Sequence, residues 1–169
     1  MIDPPGSSYW KDWDNYVRTA LLKRGLISPA DLSLYRIVAT SAEAVAEVSQ
    51  FYRNFHSIRY IDGKLVVRIA HPPSKFLVER LNNEFSDIVV KGRIEPCEPH
   101  RYELEEPQVA ELFRLKLHFD QKHLGRLRLM IDVLNDAVTP AQAATSPTIK
   151  PVHWITPEPD RNGDAEHDD

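Results

Sequence analysis

The sequence predicts an α+β protein: a ferredoxin-like split βαβ unit (βαββαβ) forming an antiparallel sheet, extended by an added strand and helix and preceded by an N-terminal helix pair. Three observations predict it. Asp62-Gly63 sits between two alternating runs, Ile58 to Asp62 and Lys64 to Ala70, which is the strongest short hairpin signal a sequence offers. Helical periodicity flanks that hairpin on both sides. A further alternating segment, Arg114 to Asp120, carries Leu115, Leu117 and Phe119 on one face against Arg114, Lys116 and His118 on the other.

In chain order, Ser7 or Ser8 can cap a first helix that Gly25 closes in a left-handed conformation. Its face of Tyr9, Trp13, Tyr16 and Ala20, with Trp10, Val17 and Leu21 beside it, is wider than a lone surface helix needs. Ser28-Pro29-Ala30-Asp31 starts a second helix with a cap, a proline at the first position and an acid at the third. Tyr35 to Ala39 reads as a strand. Thr40 and Glu43 form a capping box for a helix with Val45, Val48, Tyr52 and Phe55 along one face. After the hairpin, Pro72-Pro73-Ser74 opens a helix carrying Leu77, Leu81 and Phe85, and Ile88 to Glu95 returns as a strand. A last helix aligns Leu124, Leu127, Ile131 and Leu134. The predicted organisation is a helix pair over 1–34, the α+β domain over 35–138 and a disordered tail over 139–169.

The tail carries five prolines and no apolar periodicity, so it cannot bury enough surface to offset its ordering entropy. Its one apolar island, Val152-His153-Trp154-Ile155, reads either as a docking motif or as a chance cluster. The net charge of −4 belongs to this tail, where six acids between Glu158 and Asp169 face Arg161 alone. The rest is balanced, and bulk charge gives nucleic-acid binding no support. Apolar runs such as Ile88-Val89-Val90 fall far short of the ~20 residues that span a bilayer. The single cysteine, Cys97, forms no internal disulfide, so a cytoplasmic location is expected.

Hairpin register from the two-residue turn puts Ile58, Tyr60, Leu65, Val67 and Ile69 on the core face. Arg59, Ile61, Lys64, Val66 and Arg68 lie on the other. That mixed face reads as a solvated surface or as a packing surface for a dimer mate, the N-terminal helices or another domain. An RNA platform would need aromatics on the central strands, which are absent. Ile61, Val66 and Arg68, with Tyr9, Trp10 and Trp13, are the candidate interface residues. Arg53, His56 and Arg59 cluster around a helix-to-strand corner and form a candidate anion site, arginine being suited to bidentate contact with phosphate or carboxylate. The alternative is ordinary surface arginines with His56 at a helix C-terminus. No metal-ligand spacing, phosphate-cradling glycine loop or nucleophile with a nameable partner is present, so no catalytic residue, metal or cofactor is assigned.

Several stretches together resemble a known family. Gly6-Ser7-Ser8-Tyr9-Trp10 followed by Gly25-Leu26-Ile27-Ser28-Pro29-Ala30-Asp31 is similar to the closing helices of LONELY GUY-like Rossmann-fold proteins, which are nucleoside 5′-monophosphate phosphoribohydrolases often mislabelled lysine decarboxylases. The stretches 51–60, 81–94 and 119–135 resemble the extra C-terminal region of the longer bacterial members. Met1-Ile2-Asp3 looks like the end of the last core strand. The family's Pro-Gly-Gly-x-Gly-Thr loop and catalytic glutamate have no counterpart, since this sequence contains no Gly-Gly. The resemblance therefore implies a non-catalytic accessory, regulatory or oligomerisation module. Its partner would be a Rossmann-type domain or a second copy, either as part of a larger nucleotide N-glycosidase or as a separate protein with an interaction role. The alternative expectation is a small-ligand sensor for a nucleotide or phosphorylated metabolite.

Overall fold

A computed structural model describes residues 1–101, 103, 104 and 106–143, so the island Val152–Ile155 and most of the expected tail lie outside the described residues. The element order is α1 (Tyr9–Tyr16), a wider π-helical continuation (Val17–Leu22), a 3-10 helix (Pro29–Leu34), α2 (Ser41–Phe51), β1 (Phe55–Ile61), β2 (Lys64–Ile69) and α3 (Lys75–Glu84). A 3-10 turn (Ser86–Ile88), β3 (Glu95–Pro96), α4 (Pro107–Ala110), β4 (Phe113–Leu117), α5 (Leu124–Asp136) and α6 (Pro140–Ala143) follow. No helix among the described residues is long and apolar enough to cross a membrane.

The chain is α+β, with a four-stranded antiparallel sheet in the order β1-β2-β4-β3. The hairpin has the expected register, Ile61 opposite Lys64 and Ile58 opposite Val67, with Asp62 and Gly63 both at positive φ. Leu65, Val67 and Ile69 of β2 and Leu115 and Leu117 of β4 point to one side. There they meet Leu77, Leu81 and Phe85 of α3 and Leu127, Met130, Ile131 and Leu134 of α5. Each such aliphatic is worth roughly 1.5–3 kcal/mol when buried.

Two expected strands are placed differently. Tyr35 to Ala39 does not enter the sheet, and only Val38 pairs, in a single parallel bridge with Ile2. The slot beside β2 belongs to β4, which places Leu115 and Leu117 in the core. Ile88 to Glu95 is not one strand either. Ile88 ends a 3-10 turn, Val89 bridges Phe119, and Gly92 turns the chain at φ 78 before the two residues of β3. The segment expected as an addition is thus the interior strand β4, and the ferredoxin-like path is permuted. β2 and β3 run parallel with β4 between them, joined by α3, which is one split βαβ. β4 and β1 run parallel with β2 between them, and α5 leads from β4 to the start of β1 without a covalent join. Hydrogen bonds close that junction instead. The Asn135 carboxamide oxygen accepts the N–H groups of Asn54 and Phe55 at 3.0 and 2.9 Å, and its Nδ2 donates to the Phe51 carbonyl at 2.6 Å.

The N-terminal segment lies over the outside of α5. Ser28 and Asp31 form a capping box for the 3-10 helix, which rests on α5 where Ser33 Oγ donates to the Gly125 carbonyl at 2.9 Å. Thr40 caps α2 as expected, its hydroxyl accepting the Glu43 amide at 3.2 Å, while the Glu43 carboxylate reaches past Thr40 to accept the Ala39 amide at 2.8 Å. The expected inward stripe of α2 faces outward, however: Val45 is 65% and Val48 56% exposed, and Tyr52 is also exposed. The helix docks instead through Glu47, whose carboxylate meets Arg128 of α5 at 2.9 Å, and through Phe51 under the same guanidinium. At the start of the segment expected as a disordered tail, α6 forms a turn in which Thr139 and Gln142 bond reciprocally.

Candidate functional site

The register of β1, β2 and β4 directs Arg59, Val66, Arg68, Arg114 and Lys116 to the sheet face opposite α3 and α5. The described residues of the connection from β3 to β4 fold back across that face, with Val109 and Leu112 buried there. Glu103 fastens the cover. It is 1% exposed and accepts from Arg68 Nε at 2.7 Å, Arg114 Nε at 3.2 Å and the His100 amide at 2.8 Å. Arg114, 2% exposed, spends its remaining donors on the Val109 carbonyl at 2.6 Å and the Leu112 carbonyl. Arg68 Nη2 lies 2.7 Å from Glu103 Oε1 without hydrogen-bond geometry and has no other partner among the described residues. Burial pushes the Glu103 carboxyl upward, but the His100 amide and the two guanidiniums outweigh it and hold it below the ordinary glutamate range. A buried charge set of this kind costs desolvation energy, which its hydrogen bonds and mutual attraction must offset.

Beside this set a groove of about 870 Å³ runs between the sheet and its cover. Lys64, Val66 and Lys116 line it from the strands, and Cys97, Glu98 and Glu111 from the cover. The Cys97 thiol is pushed up by burial, more than nearby Lys116 and Arg114 pull it down, so it stays protonated at neutral pH. Lys116 pairs with Glu95 at 3.2 Å. No cluster of three or more potential metal ligands occurs among the described residues.

The expected anion-site residues are engaged separately. Arg59 donates to Glu106 at 2.9 Å. His56 Nδ1 lies 2.9 Å from Ser57 Oγ, and burial followed by the nearby Arg68 charge pushes its pKa below the ordinary histidine value. Arg53 lies between α2 and β1, its amide donating to the Gln50 carbonyl at 3.2 Å. Of the expected sheet-face interface, Val66 and Arg68 are largely covered by the chain's own connection between β3 and β4, which leaves no open sheet face for a protein partner, while Ile61 and Val66 border the groove. Sequence reading missed this cover and Glu103. The available signal was Arg68 and Arg114, two arginines alternating with core aliphatics on strands that prove central, which require a buried carboxylate partner.

The N-terminal candidates form a second surface. Tyr9, Trp10, Trp13 and Tyr35 make a chain of edge-to-face rings with centroids 5.0, 6.1 and 4.8 Å apart. Tyr35 closes it by donating its hydroxyl to Asp14 at 2.5 Å, and Arg18 holds the other Asp14 oxygen at 2.8 Å. Tyr9 is 70% and Tyr16 57% exposed, and Trp13 remains partly open. Alongside, Val38 bonds the Met1 carbonyl and the Asp3 amide, so the N–H and C=O of Ile2 point away along an edge that pairs with no further strand among the described residues. The chain matches no family model, no curated protein and no solved structure.

Proposed function

We propose that this chain is a non-catalytic accessory module whose N-terminal aromatic surface docks onto a Rossmann-type domain. This is the role implied by its resemblance to the C-terminal region of LONELY GUY-like phosphoribohydrolases. The observation that carries the reading is the parallel bridge Ile2–Val38, with the aromatic helix α1 crossing between its two segments. It is a βαβ connection in miniature. Parallel strands belong in sheets covered on both faces, and one bridge with an open edge beside an exposed aromatic face lacks that cover. A parallel sheet supplied by a partner domain would continue the edge and bury Tyr9, Trp13 and Tyr16. The other expectation, an anion sensor at Arg53, His56 and Arg59, has less support, because Glu106 neutralises Arg59 and burial favours uncharged His56.

The test uses the chain alone, with Trp154→Phe to isolate the two N-terminal tryptophans. Exposed aromatic surface is expected to bind a hydrophobic dye and to drive self-association in sedimentation. Tyr9→Ser with Trp13→Gln is expected to abolish both while leaving the far-ultraviolet spectrum unchanged. A monomer at high concentration that binds no dye and protects both tryptophans from quenching would sink the proposal.

A further inference from the structure

The groove behind the sheet has the size of a small-molecule site, about 870 Å³ against the ~300–1,000 Å³ usual for such pockets. Its charges are not evenly spent. Arg114 is committed to Glu103 and Lys116 is paired with Glu95, while the exposed Asp62 carboxylate stands 3.9 Å from His100, a contact that is an ion pair only when the imidazole is protonated. Three lining groups have no ion-pair partner among the described residues. Lys64, a half-buried residue, comes from the strand side, and the exposed Glu98 and Glu111 come from the cover. Ile61 and Val66 of the hairpin and Leu112 of the cover add aliphatic surface to the same lining. A cation from the strand side, carboxylates from the cover and aliphatic surface in the same lining define a complementary guest. A polyanion such as a nucleotide would gain Lys64 but meet both glutamates, and a simple amine would gain the glutamates but meet Lys64.

We propose that this groove binds a small zwitterion of the α-amino-acid type with an apolar side chain. Its carboxylate meets Lys64, its ammonium meets Glu98 and Glu111, and its side chain rests against Val66 and Leu112. The Arg68–Glu103–Arg114 set keeps the cover in place and so preserves the groove before the ligand arrives, which reduces the ordering cost of binding. The site is on a different face from the aromatic docking surface and does not depend on it.

The experiment titrates the full chain with L-leucine and L-phenylalanine and follows backbone amide resonances. 4-Methylpentanoate, which lacks the ammonium group, and 3-methylbutylamine, which lacks the carboxylate, serve as single-charge comparisons. Saturable shifts at Val66, Cys97 and Leu112 are expected from an amino acid, with both single-charge analogues at least about tenfold weaker. Lys64→Gln is expected to lose binding and Lys64→Arg to retain it, with amide shifts elsewhere reporting an intact fold. Tyr9→Ser with Trp13→Gln is expected to leave binding unchanged, which separates this site from the docking surface. Absence of saturable groove shifts with both amino acids, equal binding of an analogue, or indifference to Lys64→Gln would each overturn the assignment.

Discussion

Asn135, at the end of α5, and Asn54, at the entry to β1, form a reciprocal buried clasp across 81 residues of chain. Asn135 accepts the Asn54 amide at 3.0 Å, and Asn54 Nδ2 donates to the Leu134 carbonyl at 2.9 Å. Asn54 Oδ1 also receives the His71 amide at 2.9 Å, tying the end of β2 to the same point. This is where a ferredoxin-like unit in its ordinary chain order would run straight from helix into strand. Here polar side chains hold the junction that a peptide bond would otherwise make.

Asn135→Ala is therefore expected to be among the costlier single substitutions in the chain. It strands the buried N–H groups of Asn54 and Phe55, a loss of about 2–4 kcal/mol. Urea unfolding should show a lower midpoint, and hydrogen exchange should show early opening of the β1 amides. An Asn135→Ala midpoint equal to that of the wild type would mean water replaces the clasp without cost.

Gly125→Ala should also destabilise, against the usual sign for glycine inside a helix. Replacing such a glycine commonly gains about 0.5–1 kcal/mol. A Cβ on Gly125, however, would stand 2.3 Å from the Ala30 backbone oxygen and 2.6 Å from the Asp31 nitrogen. Backbone cannot rotate aside as a flexible side chain can, so the 29–34 segment must lift, at about 1–3 kcal/mol. Limited proteolysis near Ala30 together with thermal unfolding would report it.

Glu103→Gln tests the buried charge set. It leaves Arg68 and Arg114 facing each other without a counter-charge, for an expected loss of about 3–5 kcal/mol. The wild type should show the linked pH effect. Because the folded carboxyl is held low, the stability it contributes is present above the unfolded value of about 4.3 and is lost as pH falls through the lower folded value. Urea midpoints at neutral pH and under acid should converge between wild type and variant as pH falls.

Tyr35 supplies a spectroscopic check on the aromatic chain. Burial, then the hydrogen bond to Asp14 and its charge, push the phenol up to about 12. Raised folded pKa means that its contribution is present below the ordinary tyrosine value of about 10 and is lost as pH rises through about 12. Ultraviolet titration should reveal one late-ionising phenol that Tyr35→Phe removes. A Tyr35→Phe titration identical to that of the wild type would contradict the Asp14 bond.

Local signals in the sequence determined much of this molecule. Thr40 with Glu43, Ser28 with Asp31, Ser74 before α3 and the Asp62-Gly63 turn act within a few residues, so each is readable from spacing alone. The hairpin register followed, and with it Leu65, Val67 and Ile69 as core, although Ile58 and Tyr60, expected on the same face, lie exposed on the edge strand β1. Competition between distant segments decided the rest. The sheet position beside β2 went to β4, whose Leu115 and Leu117 pack into one core with side chains of α3 and α5 that lie far from it in sequence. Val45 and Val48 face outward because the Glu47–Arg128 pair and the Phe51 contact orient α2 from a helix about 80 residues away. Arg68 reads as a surface charge until Glu103 is brought over it, since burying a cation depends on a partner that only the folded chain supplies.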